Sequence, residues 1–192
     1  MQETQTETPE KNKIASNGVI AMMMFVGCEI MYFLALVSAY LIVSQGQLKW
    51  PPPDQPRLPV GLTAFNTVVL MVSGLLMYMS NKQFKAGAKK KATNLLFLSV
   101  LAATFFVCIQ GYEWISLIYS GLTMFSSSYG SFFYLVVGSH AVHAFIAIIV
   151  MFVIFFKMKN GTASAVAFNA SQVFWYFVVG IWPILYVTVY LI

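Results

Sequence analysis

Charge is what this chain has least of. Only 9% of its 192 residues are charged, against about 25% in an ordinary soluble domain. Lipid rather than water is therefore expected to solvate most of the surface, and the length leaves no room for a second folded domain. Cysteine is nearly absent, with Cys28 and Cys108 alone and no CxxC spacing. That spacing suggests neither a disulfide framework nor a zinc site, so both read as small interfacial or core residues. Histidine is as scarce: His140 and His143 are the only two. No signal peptide is expected. Residues 1–17 form a polar tail bearing Glu3, Glu7 and Glu10, and the apolar run after it is too long for a signal core and meets no cleavage site. The net charge of +5 would suit nucleic acid. The basic residues lie in the gaps between apolar runs, however, so no nucleic-acid partner is expected.

Long apolar runs are what the chain does have, with 59% hydrophobic and 16% aromatic residues. A helix needs about 20 mostly apolar residues to cross a bilayer. Five segments qualify: about 18–43, 59–80, 93–119, 130–156 and 168–192. Each is about twice the ~10 residues of a barrel strand or more. Helices satisfy their own backbone in lipid, so the expected fold is all-α, a polytopic bundle of five transmembrane helices over 18–192. With five spans, Lys11, Lys13, Lys82, Lys85, Lys89, Lys90, Lys91, Lys157 and Lys159 share one side, and only Lys49 and Arg57 the other. By the positive-inside rule the N-terminus is cytoplasmic and the C-terminus lies outside, which is periplasmic in a bacterial inner membrane. The run Lys89–Lys91 is a topology anchor that also suits anionic lipid.

Two loops and a proline add detail. Trp50-Pro51-Pro52-Pro53, followed by Pro56 and Pro59, predicts a stiff strap at the membrane surface with Trp50 at the interface. Pro183 removes a backbone donor to Val179 and invites a kink beside Gly180. Tyr190 suits an outer aromatic belt.

Four ionisable groups lie inside these spans: Glu29, Glu113, His140 and His143. A charge at the bilayer centre costs about 2.5–3.5 kcal/mol on insertion scales, so each is a candidate site residue. His140 and His143 share a helix face with Ala144 and Ala147 and should point into protein. Three readings compete for the group: a metal or haem site, a proton relay, and neutral groups joined by interhelical hydrogen bonds. Two histidines on one side of one helix cannot ligate opposite faces of one haem. Depth along the helices allows a Glu113–His140 link, directly or through Tyr112 or a water. Glu29 has no basic residue at its depth. It is expected to keep its proton and to face a neighbouring subunit or a lipid cleft.

The order of motifs resembles subunit III of the haem–copper oxidases, the cytochrome c and quinol oxidase family. Residues 27–42 (GCEIMYFLALVSAYLI) resemble that family's glutamate-bearing helix. WPPP (50–53) and FNTVVLMVSG (65–74) resemble its proline loop and the next helix. QGYEW (110–114), YGSFFYLVVGSHAVHA (129–144) and WYFVVGIWPILYVTVYL (175–191) resemble its later helices. The family's last helix usually reads Trp-His-Phe-x-Asp, where this chain has Trp175-Tyr176-Phe177-Val178-Val179, so its polar network would be rebuilt, with Tyr176 a candidate. Larger members have seven spans, and this chain is expected to be a short form lacking the first two.

The resemblance implies a non-catalytic chain with no catalytic residue and no metal ligand of its own. Haems and copper would sit in partner subunits I and II. Subunit III would pack on subunit I, bind phospholipid and support proton uptake, within an oxidase that could join a larger supercomplex. Glu29 is the proton or lipid-cleft candidate; Glu113, His140, His143, Tyr112 and Tyr176 form a structural polar network. The alternative is a stand-alone proton- or ion-translocating protein, though no internal repeat of the transporter kind is visible.

Overall fold

The computed structural model describes residues 17–53 and 55–192. Apart from Asn17, the expected polar tail lies outside the described residues. Five helices follow: α1 (Asn17–Gln45), α2 (Val60–Lys85), α3 (Lys89–Tyr119), α4 (Ser128–Lys159) and α5 (Ala165–Tyr186), the last continuing as a π-turn over Val187–Leu191. Each is long and apolar enough to cross a membrane. Three helices run further into the lysine-bearing segments than the apolar runs predict. Lys82 and Lys85 close α2, Lys89–Lys91 open α3, and Lys157 and Lys159 close α4. Lysine is a good helix former, and its long stem carries the charge beyond the apolar zone.

Neighbouring helices alternate in direction. Their ends define a lysine end, with loops 86–88 and 160–164, and a strap end, with loops 46–59 and 120–127. At the centre stands α5, packed on α1, α2 and α4. In its most apolar stretch 61% of residues are buried, against 6% in α1. Small residues let it approach its neighbours. A Cβ on Gly74 of α2 would come within 3.1 Å of Val179 Cγ1, and Ala144 and Ala147 of α4 are fully buried.

The α2–α3 contact is a polar seam rather than an apolar one. Thr63, Asn66, Ser73 and Ser80 recur at helical spacing on one face of α2 and are all fully buried. Asn66 Nδ2 donates to Phe106 O at 3.0 Å, and Ser80 Oγ to Ala92 O at 2.8 Å. Ser73 and Ser99 exchange hydroxyl-to-carbonyl bonds at 2.9 and 2.8 Å. Short hydroxyls pair across helices without holding the backbones apart.

At the strap end, Trp50 does more than sit at an interface. Its indole donates to Tyr40 Oη at 3.0 Å, and its ring meets Tyr129 edge-on at 5.2 Å. Tyr40 Oη in turn donates to Val189 O at 3.5 Å. The strap is thereby fastened to α1, α4 and the π-turn. The Tyr-Gly-Ser motif opening α4 also has a physical meaning. A Cβ at Gly130 would lie 2.2 Å from Thr123 O, and Ser131 Oγ donates to Met124 O at 2.6 Å. Loop 120–127 folds directly onto this turn. It leaves α3 at Gly121, whose φ of 93° suits glycine. Leu122 N donates to Leu117 O and Gly121 N to Ile118 O, closing the helix end with Leu117 and Leu122 both buried.

The irregularity expected at Pro183 falls later in the chain. α5 continues through Pro183 to Tyr186, and the backbone widens only over Val187–Leu191. That π-turn changes where Tyr190 points. Instead of joining an outer belt, Tyr190 is buried against α2 and α3. Cys28 and Cys108 are not core residues. Both are exposed on outward faces of their helices.

Candidate functional site

The four intramembrane ionisable groups separate into different environments. Glu113 is 1% exposed in the core at the strap end. Its Oε1 accepts from Tyr190 Oη at 2.6 Å, and its Oε2 lies 2.8 Å from Thr63 Oγ1. Gln110, one turn earlier on α3, donates to Tyr190 Oη at 3.1 Å. Three elements thus converge on one carboxyl.

Counting hydrogens fixes how this cluster works. Thr63 has one hydroxyl hydrogen but two oxygens in range: Pro59 O at 3.0 Å and Glu113 Oε2 at 2.8 Å. Both are acceptors if Glu113 is ionised, and one contact is then left without a hydrogen. A proton on Oε2 resolves the count. Glu113 donates to Thr63, Thr63 donates to Pro59, Tyr190 donates to Oε1, and Gln110 donates to Tyr190. Every contact has one donor and one acceptor only when Glu113 is the neutral acid.

The expected direct Glu113–His140 link is not formed. His140 is 1% exposed and neither ring nitrogen has a hydrogen-bond partner among the described residues. Its ring lies 4.8 Å from that of Trp182, at 33°, and meets Phe106 edge-on. At 1.5 Å per residue Glu113 lies about 9 Å from the strap end of α3 and His140 about 18 Å from that of α4, and the two turn to different neighbours: Glu113 faces Thr63 and Tyr190, and His140 faces Trp182. Tyr112 is not in the network either. One residue from Glu113 is a rotation of about 100°, and the Tyr112 side chain is exposed. Tyr176 belongs to a separate cluster nearer the lysine end. There Asn81 Nδ2 donates to Gln172 Oε1, and Gln172 Nε2 donates to Tyr176 Oη.

Glu29 does have a partner, contrary to the expectation from sequence. Its Oε2 lies 2.9 Å from His143 Nε2, with the side chains 19% and 17% exposed respectively. His143 is therefore removed from the Glu113 group. His143 Nδ1 is 2.7 Å from Ser139 O. A carbonyl only accepts, so Nδ1 carries hydrogen, and the Nε2–Oε2 contact then requires one proton between them. Whether that proton rests on nitrogen or oxygen, the pair as a whole is neutral. This is how a carboxyl is carried among apolar residues of α1. Tyr32 Oη and Ser139 Oγ, 2.9 Å apart, extend the cluster. Cys28, Glu29, Tyr32, Ser139, Val142 and His143 line an open groove of about 460 Å³ between α1 and α4.

Sequence reasoning missed Thr63, Gln110 and Tyr190 as partners of Glu113. A signal existed for two of them. Gln110 shares the face of Glu113 at i, i+3, and Thr63 belongs to the polar stripe of α2. The Glu29–His143 pair was also readable. Glu29 is sixteen residues below Gln45 and His143 fifteen below Ser128, about 24 and 22 Å at 1.5 Å per residue. Among the described residues, no three His, Cys, Asp or Glu side chains converge as a metal site would need.

Comparison with known proteins gives this arrangement a setting. The family model for cytochrome c oxidase subunit III matches residues 2–192. A cytochrome c oxidase subunit 3 of Paracentrotus lividus is 29% identical over 187 residues, covering 92% of this chain and 70% of its own length. One of Pylaiella littoralis is 31% identical over 182 residues, covering 89% of this chain and 65% of its own length. A probable cytochrome c oxidase subunit 3 of Nocardia farcinica is 28% identical over 177 residues, covering 90% of this chain and 87% of its own length. The chain belongs to the cytochrome c oxidase subunit III family.

Proposed function

We propose that this chain is the accessory subunit III of a haem–copper terminal oxidase in a bacterial inner membrane. The family match over residues 2–192 carries the reading. In it, the chain packs on subunit I and leaves oxygen reduction to the haems and copper of subunits I and II. Its own contribution is to hold lipid, stabilise the complex and sustain proton uptake during turnover. The placement of the ionisable groups supports this division. Glu113 is saturated by hydroxyl partners, His140 is enclosed by aromatic rings, and only the Glu29–His143 pair lines an open groove.

A second groove supports the lipid part of the reading. At the lysine end, about 580 Å³ is lined by Lys89, Lys90 and Lys159 at one level and by Phe97, Phe155 and Met158 beneath them. Lysines above an apolar wall suit an anionic phospholipid, headgroup and chain together. By the positive-inside rule, the same lysines support a cytoplasmic position for this end and the N-terminus and a periplasmic one for the C-terminus.

Extraction of the chain from its native membrane in mild detergent tests the assembly. It should co-purify with haem–copper subunits, and recovery only as a free homo-oligomer would contradict the reading. In the assembled oxidase, Glu29→Ala should leave initial electron transfer largely intact and shorten the period of sustained turnover. Immediate and complete loss of oxygen reduction would place Glu29 in the chemistry instead.

A further inference from the structure

The two strap-end loops hold only two basic side chains, Lys49 and Arg57, and Arg57 is the single arginine of the chain. Both line one hollow of about 780 Å³, bounded by the strap, the start of α2 and the π-turn. Polar atoms make up as much of its surface as apolar ones, and among the described residues no acidic side chain lines it. Its aromatic wall is fixed by the bonds from Trp50 to Tyr40 and from Tyr40 to Val189 O. The strap itself turns on a bond of 3.1 Å from Gln55 N to Pro52 O. One donor at the wall is unspent. Tyr129 is 3% exposed and lines the hollow, and its phenol has no hydrogen-bond partner among the described residues. The phenol oxygen is not one of the buried polar atoms sealed from the surface, so the small exposed part of this residue includes it.

We propose that this hollow is an anion site that takes a phosphate group, with a phospholipid headgroup as the source its walls favour. An arginine fork meets two phosphate oxygens in one plane, a lysine adds a point charge, and a phenol adds a further hydrogen. The depth suits a headgroup. Tyr40 stands about 7–8 Å below the end of α1 at Gln45, the level at which Trp and Tyr rings gather at a membrane surface. Leu58, Val60 and Val189 also line the hollow. They suit the glycerol and first methylenes of a lipid better than a freely dissolved ion. A strap already held by its prolines and by Trp50 loses little freedom when the anion enters. The site lies at the opposite end of the bundle from the lysine-lined groove, and it stands whichever complex the chain joins.

Lys49 is the only lysine at the strap end, so its amine reports on the hollow alone. The full chain is placed in phosphatidylcholine nanodiscs, and acetylation of Lys49 by a neutral reagent is timed by mass spectrometry. Lys85, exposed at the other end, reads the general charge of the bilayer. Phosphatidylglycerol added to the bilayer should slow Lys49 more than Lys85. Inorganic phosphate added to plain phosphatidylcholine nanodiscs is the second arm. Protection by phosphatidylglycerol alone identifies the lipid as the source, and protection by inorganic phosphate identifies the free ion. Protection by neither overturns the proposal. Arg57→Gln should raise the amount of anion needed for half protection about fivefold, the worth of one cation near a membrane surface. Tyr129→Phe keeps every charge and should raise it by a smaller factor. Neither variant touches the Trp50–Tyr40 bond that fastens the strap. Protection unchanged in either variant would overturn the proposal as well.

Discussion

α1 and α5 lie side by side and are both strongly apolar, yet they solve opposite problems. α1 has 6% of its most apolar stretch buried and α5 has 61%. The peripheral helix carries its one acid at a groove, paired with a titratable base. The central helix meets an acid in the core and saturates it with a phenol, with a threonine of α2 supplying the second partner. A carboxyl matched by hydroxyls is fixed in one state by its surroundings. A carboxyl matched by imidazole shares a proton that either partner can hold. Structural polarity and exchangeable polarity are thus separated within one small bundle.

The largest expected effect tests the core side of this contrast. Glu113→Ala orphans Tyr190 and Thr63 and opens a void, which should cost roughly 2–4 kcal/mol. Thermal or detergent-induced unfolding of the extracted protein measures it. Glu113→Gln reproduces the donor–acceptor count of the neutral acid, because its amide donates to Thr63 and its oxygen accepts from Tyr190. It should lie within about 1 kcal/mol of wild type. Equal loss in both variants would refute the neutral-acid count. Next in size is Gly130→Ala, whose new methyl would meet Thr123 O; overpacking of this kind costs about 1–3 kcal/mol. The same unfolding assay reads it, and wild-type stability would mean that loop 120–127 does not press on α4.

The peripheral pair should respond less in stability and more in function. His143→Gln removes the proton-sharing partner of Glu29 but keeps a hydrogen-bonding amide beside it, and should cost about 0.5–1.5 kcal/mol. The same variant should shorten sustained turnover as Glu29→Ala does. A loss as large as that of Glu113→Ala would erase the distinction between core and groove. Smallest of all is Tyr112→Phe. The exposed phenol belongs to neither cluster, so stability should stay within about 0.5 kcal/mol.

Much of this was legible from sequence because lipid imposes length. Five apolar runs became five helices, and the lysine-bearing turns became their ends. Depth was legible as well, since a fixed rise per residue converts position into height. Rotation was not. The azimuths of Glu113, Tyr112 and His140 are set by packing: Gly74 against Val179, and the serine seam between α2 and α3. The π-turn was invisible for a further reason. Sequence offered Pro183 as the site of disturbance, while the backbone widens after it and turns Tyr190 inward.

The helix at the centre of the bundle is made after the other four. Until α5 arrives, Glu113 has Thr63 but no Tyr190, His140 has no Trp182 to lie against, and Gly74 faces nothing. A nascent chain at that stage holds polar groups in lipid with their partners still unmade. The last helix to be made therefore brings the partners that these groups lack. The fastening of the strap through Tyr40 to Val189 becomes possible only when that helix is in place.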